Sequence, residues 1–219
     1  MATTRIRFTA VDRRQQILEV ASALFARQGF NGATTRDIAQ AARVNEALIF
    51  RHFPTKEDLY WAVIEEKCRA GTWQQDLEAR LASGKSDREV FQAIAADILE
   101  RRRKDSSLFR LLLFSALENH SLSDRFFRTS VAQYYERLAD YIARRISEGA
   151  FRSVDPMLAA RGFLGMINYH FQIQELFGGK KYHKYDDAEA TQGLTDLWLN
   201  GMTNPVSEAS NGRKKHGRK

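Results

Sequence analysis

Cysteine is almost absent from this 219-residue chain: Cys68 stands alone, so no intrachain disulfide can form and cysteine by itself cannot build a metal site. We read Cys68 as reduced and structural. Proline is scarce as well. Only Pro54, Pro156 and Pro205 occur, which leaves 101 consecutive residues between the first two free of the strongest helix breaker. The longest stretch without a charge, Gly162 to Gln174, has thirteen residues, against the roughly 20 that span a bilayer. No membrane partner is expected. Met1 to Phe8 carries arginines but no apolar h-region and no small-residue cleavage site, so a cytoplasmic location is expected. Strand signals are missing too: no sustained apolar/polar alternation with β-branched enrichment occurs, and no Asn-Gly or Asp-Gly turn joins two such runs. The expected fold class is all-α.

Catalytic patterns fail one by one. Gly84-Lys85-Ser86 resembles the end of a phosphate loop, but Ala79 occupies the place of its first glycine and no strand precedes it. The histidines at 52, 120, 170, 183 and 216 include no pair at i, i+3 or i, i+4, so no helical zinc site is expected. There is no Gly-x-Ser-x-Gly elbow, and Cys68 sits on an ordinary helix. The chain reads as a protein without enzymatic activity, cofactor or metal.

What is present is uneven charge and helical periodicity. With 43% apolar and 28% charged residues the composition is globular, enough for one large core or two small ones, and the formal net charge is +7. Residues 1–56 hold nine Lys/Arg against four Asp/Glu, residues 57–203 hold twenty against twenty-two, and residues 204–219 hold five against one. A basic head on a slightly acidic body is the charge footprint of a part that meets polyphosphate and a part that does not; the plainer reading is a solvated surface. The organisation expected is an arm over 1–11, a small helical domain over 12–56, a larger helical domain over 57–203 and a basic tail over 204–219. That tail has too few apolar residues to offset its ordering entropy and is expected to be disordered. It serves either solubility or nonspecific phosphate contact.

Ile17, Ala21, Leu24, Phe25 and Gln28 recur on one face and predict a first helix over Asp12–Gln28, stopped by Gly29. Thr34 with Asp37 predicts a capped second helix burying Ile38, Ala39 and Ala42. After a break at Arg43-Val44-Asn45, Asn45 caps a third helix with Ile49 and Phe53 inward, ended by Pro54. A fourth opens at Thr55 or Lys56, with Leu59, Val63 and Ile64 inward, and weakens at Gly71. Further helices are predicted over 73–81, 87–103, 107–118, 123–147, 155–177 and 186–202, with Asp155-Pro156 as N-cap and first helical residue. Arg101 to Lys104 reads as a solvated C-terminal turn.

Two short helices joined by about three residues and braced by a longer one form the layout in which one helix enters a major groove while the other crosses the backbone. With Ile49 and Phe53 inward, the third helix presents Glu46, Ala47, Leu48, Phe50, Arg51 and His52. Ala47 permits close approach, Phe50 suits a sugar or thymine methyl, and Arg51 and His52 donate to phosphate or base edges. Thr34, Thr35, Arg36 and Lys56 flank the helix and can hold backbone phosphates, and Asn45 is counted with them among the DNA-binding candidates. The plainer reading is a three-helix packing module.

The segments Ile17-Leu-Glu-Val-Ala-Ser-Ala-Leu-Phe-Ala-Arg-Gln-Gly-Phe30, Ala33-Thr-Thr-Arg-Asp-Ile-Ala-Gln-Ala-Ala42 and Leu48-Ile-Phe-Arg-His-Phe-Pro-Thr-Lys-Glu-Asp-Leu-Tyr60 are similar, in order, to the DNA-binding head of the TetR family of bacterial transcription regulators. The resemblance implies a helix-turn-helix domain whose third helix reads the major groove, with Thr34 and Lys56 at phosphates and Phe50 where the family usually has tyrosine. Arg43 stands where the family prefers glycine, which implies a left-handed or otherwise strained turn. Arms in some relatives reach a minor groove, a role open to Arg5 and Arg7; a frayed terminus is the alternative.

In the body, the segment from Leu158 to Phe177 is apolar on more than one face and the last helix carries Leu194, Leu197, Trp198, Leu199 and Met202. The resemblance implies that these two helices pair with their copies in a two-fold dimer, through Gly162, Met166, Tyr169, Ile173, Leu194, Leu197 and Trp198; burial within a monomer is the alternative. Polar groups among aromatics mark a small-molecule pocket: Trp73, Phe109, Phe114, His120, Tyr134, Phe163, Asn168, His170 and Gln172. Aromatics and amides outnumber acids there, so a neutral or weakly charged, aromatic or lipid-like effector is expected. The function expected is a homodimeric transcriptional repressor on a palindromic operator, released by that effector. The alternative is a helical protein-interaction module.

Overall fold

The computed structural model describes residues 10–69, 71–118, 124–125 and 127–204. Among them no strand occurs; one antiparallel bridge joins Phe151 and Thr203. No helix among the described residues is long and apolar enough to cross a membrane. The chain forms two compact units, Met1–Thr72 with Asp105–Arg128, and Trp73–Lys104 with Thr129–Lys219.

The first unit contains α1 (Ala10–Gly32), α2 (Thr35–Ala41), α3 (Glu46–His52), α4 (Lys56–Arg69) and α7 (Ser107–Leu117). α1 forms where the apolar stripe predicts it, with Ile17, Ala21, Leu24 and Phe25 buried. It breaks at Gly29, at φ 76° and ψ 179°, and one more turn runs on to Gly32. That backbone region is accessible to glycine almost alone. The next helix starts are fixed by side chains that satisfy free N–H groups. Thr34 and Asp37 cap each other's backbone at α2, Asn45 Oδ1 accepts from Leu48 N at 2.8 Å at α3, and Thr55 and Asp58 do the same at α4 over 3.0 and 3.1 Å.

The core of this unit is an aromatic cluster. Tyr60 meets Phe25 and Phe30 edge-on at 4.9 and 5.3 Å, and its hydroxyl donates to Leu111 O at 2.9 Å. Burial pushes the Tyr60 phenol up to about 12. α7 also grips both sides of the break in α1. Arg110 Nε donates to Ala26 O at 2.6 Å, completing the helix end before Gly29; the Glu118 carboxylate accepts from Phe30 N and Asn31 N at 3.0 and 3.2 Å, just beyond it.

The second unit contains α5 (Trp73–Leu81), α6 (Asp87–Lys104), α8 (Ala132–Ser147), α9 (Pro156–Phe171) and α10 (Asp187–Met202). Its centre is Phe91, against which Phe163 and Trp198 pack at 4.8 and 4.3 Å, with Phe151 at 6.2 Å. Trp198 Nε1 donates to Ala159 O at 3.2 Å, which satisfies its polar edge in the interior. Arg145 clasps Asp87 through Nε and Nη2, both at 2.9 Å at closest, while Tyr141 donates to the same carboxylate at 2.7 Å. The long helices predicted over 123–147 and 155–177 are each modified by a π turn, at Phe127–Val131 and Gln172–Leu176. Such a turn replaces the i→i+4 ladder by i→i+5 bonds over a few residues.

Candidate functional site

α2 and α3 are joined by a turn in which Arg43 holds φ 54°, the left-handed geometry anticipated where glycine is usual. It costs a side chain roughly 1 kcal/mol. Val44 N donates to Ala39 O at 3.0 Å and closes the end of α2. On α3, Ile49 is fully buried, and Phe53 just beyond it is buried too. Ala47, Phe50 and Arg51 are exposed, Phe50 by 43%, while Glu46, Leu48 and His52 are half-buried. Thr35 Oγ1 donates to Glu46 Oε1 at 2.5 Å, so this pair ties α2 to α3.

The flanking groups divide by their engagements. Thr34 is exposed and its hydroxyl serves the cap, donating to Asp37 Oδ2 at 2.6 Å; these hydrogen bonds hold the Asp37 carboxyl below its ordinary range. Arg36 is exposed. Lys56 is half-buried with Nζ 4.3 Å from the centre of the Phe30 ring, and desolvation lowers its pKa. Gln16 Nε2 donates to Ala42 O at 3.0 Å and braces the turn from α1. The face left outward is therefore small, apolar and cationic in sequence: Ala47, Phe50 and Arg51. Because the Asn45 side chain caps α3, Asn45→Ala is expected to cost about 1 kcal/mol, a fall of a few degrees in Tm by calorimetry. An unchanged Tm would show the cap to be dispensable. Arg5, Arg7 and the tail from 205 onward lie outside the described residues.

The pocket candidates are distributed. Trp73 and Tyr134 lie together, ring centres 5.5 Å apart. Phe163 is fully buried in the Phe91 cluster. Asn168, His170 and Gln172 are half-buried. His170 stacks edge-on to Tyr185 at 6.1 Å, beside a hollow of only about 10 Å³ shared with Phe171 and Gln174, and burial lowers its pKa. Phe109 and Phe114 sit on α7 in the first unit, and His120 lies outside the described residues. A more open groove of about 320 Å³ runs along Leu81, Arg137, Tyr141 and Arg144. The C-terminal turn of α6 departs from the solvated reading at one residue: Arg102 turns inward toward Phe171, 5.5 Å from its ring centre.

Among the interface candidates, Gly162, Tyr169 and Leu197 are exposed, the last two by 63% and 69%; Met166, Ile173 and Leu194 are half-buried. Trp198 differs, being 8% exposed and packed into the unit's own aromatic core. Sequence reasoning passed over the Arg110 and Glu118 contacts to α1 and the inward turn of Arg102. Only the last had a signal, because Arg102 continues the buried stripe of Phe91, Ala95 and Leu99.

Residues 17–63 match the family of bacterial regulatory proteins called tetR, and residues 89–197 match the C-terminal domain of AefR-like transcriptional repressors. The chain belongs to the TetR family. It is thus a TetR-family transcriptional regulator, with an N-terminal DNA-binding domain and a C-terminal ligand-binding domain. Among curated relatives, the transcriptional regulator LuxR of Vibrio harveyi is 40% identical over 65 residues, which is 30% of this chain and 32% of that protein. The nucleoid occlusion factor SlmA of Haemophilus influenzae is 29% identical over 171 residues, 74% of this chain and 75% of SlmA. AibR, solved in complex with isovaleryl coenzyme A and operator DNA, shares the fold at a TM-score of 0.67 and 22% identity, covering 84% of this chain and 97% of AibR.

Proposed function

We propose that this TetR-family protein is a homodimeric repressor whose two α3 helices hold a two-fold operator, and that a small molecule bound in the second unit releases it. The observation that carries the reading is the outward face of α3, where Ala47, Phe50 and Arg51 stand exposed on a helix whose other side is locked by Ile49 and Phe53. The match to AefR-like repressors supports repression. Exposed apolar side chains on α9 and α10 support dimerisation, and AibR offers a precedent for a regulator that engages both operator DNA and a small molecule.

Release is a population shift. Two half-sites about one helical turn, roughly 34 Å, apart require matched recognition helices, and the effector must favour a state in which they are mismatched; equal affinity for both states shifts nothing. Connectivity supplies a route, since α6 of the second unit leads through Asp105 and Ser106 into α7, which holds α1 at Ala26, Phe30 and Asn31.

Two substitutions separate the roles within the DNA face. Arg51→Ala is expected to weaken the cognate operator by about 1–3 kcal/mol and relax specificity, whereas Lys56→Ala weakens all DNA alike and lowers the salt slope by about one. Fluorescence anisotropy across a salt series reads both. Equal losses from the two changes on every duplex would overturn this division.

A further inference from the structure

After its break at Gly29, α1 resumes for one turn, and Phe30 and Asn31 stand at that fresh helix start, where backbone donors lack an acceptor of their own helix. Glu118, just past the end of α7, serves both: Oε2 accepts from Phe30 N at 3.0 Å and Oε1 from Asn31 N at 3.2 Å. The Phe30 ring is held in turn by the aromatic core, edge-on to Tyr60 at 5.3 Å and stacked with Phe25 at 6.2 Å. On this ring lies Lys56, with Nζ 4.3 Å from its centre. Lys56 is the first residue of α4, where the helix dipole disfavours a cation. Its own helix therefore does nothing to hold the ammonium, and Phe30 is the contact that places it. Burial lowers the Lys56 pKa, and the Glu57 and Glu118 carboxylates oppose that shift and favour the charged form.

We propose that Glu118 is a positioning residue for DNA binding: by holding the backbone of Phe30 it fixes the ring on which Lys56 lies, and so presets the ammonium for a DNA phosphate. The inference rests on the reading of Lys56 as a phosphate contact given above. It gives α7 a second role besides bracing α1, since withdrawing Glu118 loosens Lys56 and lowers affinity for all DNA without touching α3. The sign of the effect separates this role from charge alone. A carboxylate beside a phosphate contact repels DNA, so on charge alone its removal tightens binding. Loss of positioning weakens it. A contact that served only to stabilise α1 would change the Tm and leave the affinity of the folded protein as it was.

The test uses the full-length protein, a duplex from upstream of its own gene and a scrambled duplex, with anisotropy read across a salt series at a temperature where circular dichroism shows each variant folded. Glu118→Ala is expected to weaken both duplexes about threefold or more and to flatten the salt slope in the same direction as Lys56→Ala. Glu118→Gln removes the charge but keeps an acceptor, and should recover most of the loss. In a Lys56→Ala background Glu118→Ala should cost nothing further, because both changes disable one contact. Phe30→Leu keeps the N–H and removes the ring, so it should reproduce the loss and its dependence on Lys56, and it carries the test if Glu118→Ala does not fold. Binding by Glu118→Ala as tight as the parent or tighter, full additivity with Lys56→Ala, or Glu118→Gln as weak as Glu118→Ala would each overturn the positioning role and leave Lys56 as a phosphate contact. Parental binding by Lys56→Ala would remove that contact and the positioning role with it.

Discussion

Leu197→Glu is expected to leave the protein folded and monomeric, and to weaken operator binding about a hundredfold or more. Leu197 is 69% exposed and Leu158 and Tyr169 on α9 are 69% and 63% exposed, so a carboxylate there disturbs no interior packing. Between them Gly162, Gly165 and Gly193 have no atom within 4 Å of where a Cβ would stand, so these positions leave room for another backbone to come close. Large apolar side chains beside such open positions are a surface suited to a second copy of the chain. Placing a charge in each copy at that surface opposes pairing, and the two recognition helices then bind independently. The loss of linked binding accounts for the size of the effect, since joining two sites strengthens binding by about 10²–10⁴. Sedimentation velocity and anisotropy on the same samples decide it. A Leu197→Glu protein that remains dimeric with parental affinity would place the interface elsewhere.

Gly29→Val is expected to destabilise the DNA-binding unit by roughly 2–4 kcal/mol, from backbone strain and overpacking together. The backbone at φ 76° and ψ 179° is nearly closed to a β-branched residue. A Cβ would also collide with Glu118 Oε1 and come within 3.0 Å of Phe114 Cδ1. Relieving the collision requires Glu118 to leave Phe30 N and Asn31 N, which frees two donors at the break in α1. Denaturant unfolding followed by circular dichroism should show a lower midpoint, and Glu118→Gln alone should lose less, because glutamine retains an acceptor. A parental midpoint for Gly29→Val would mean that α7 yields freely at this contact.

The head of the molecule was legible because local rules act there. Thr34, Asn45 and Thr55 each stand one residue before a helix and cap it, and Ile49 with Phe53 sets which face of α3 is outward. Arg43 was foreseeable for the same reason, as a side chain in a turn that favours glycine. Contacts distant in sequence were not legible. Glu118 lies 88 residues from Phe30, and no pattern in either segment names the other. The grouping of α7 with the first four helices follows from such contacts. Trp198 shows a further limit: an apolar stripe identifies a buried face, but the sequence does not say whether the chain or a second copy covers it. Arg102 was readable from the stripe of Phe91, Ala95 and Leu99 that it extends, and was hidden by its three surface-facing neighbours.

The most direct measurement is binding of the purified protein to a fluorescent duplex from upstream of its own gene, across a salt series and against scrambled competitor. A specific dimeric regulator that acts on its own upstream region gives one dimer per site, survives scrambled DNA and loses affinity as Arg51 is removed. Equal, salt-sensitive binding to both duplexes would contradict operator recognition at that site, and no binding at low salt would contradict the DNA-binding assignment of α3 itself.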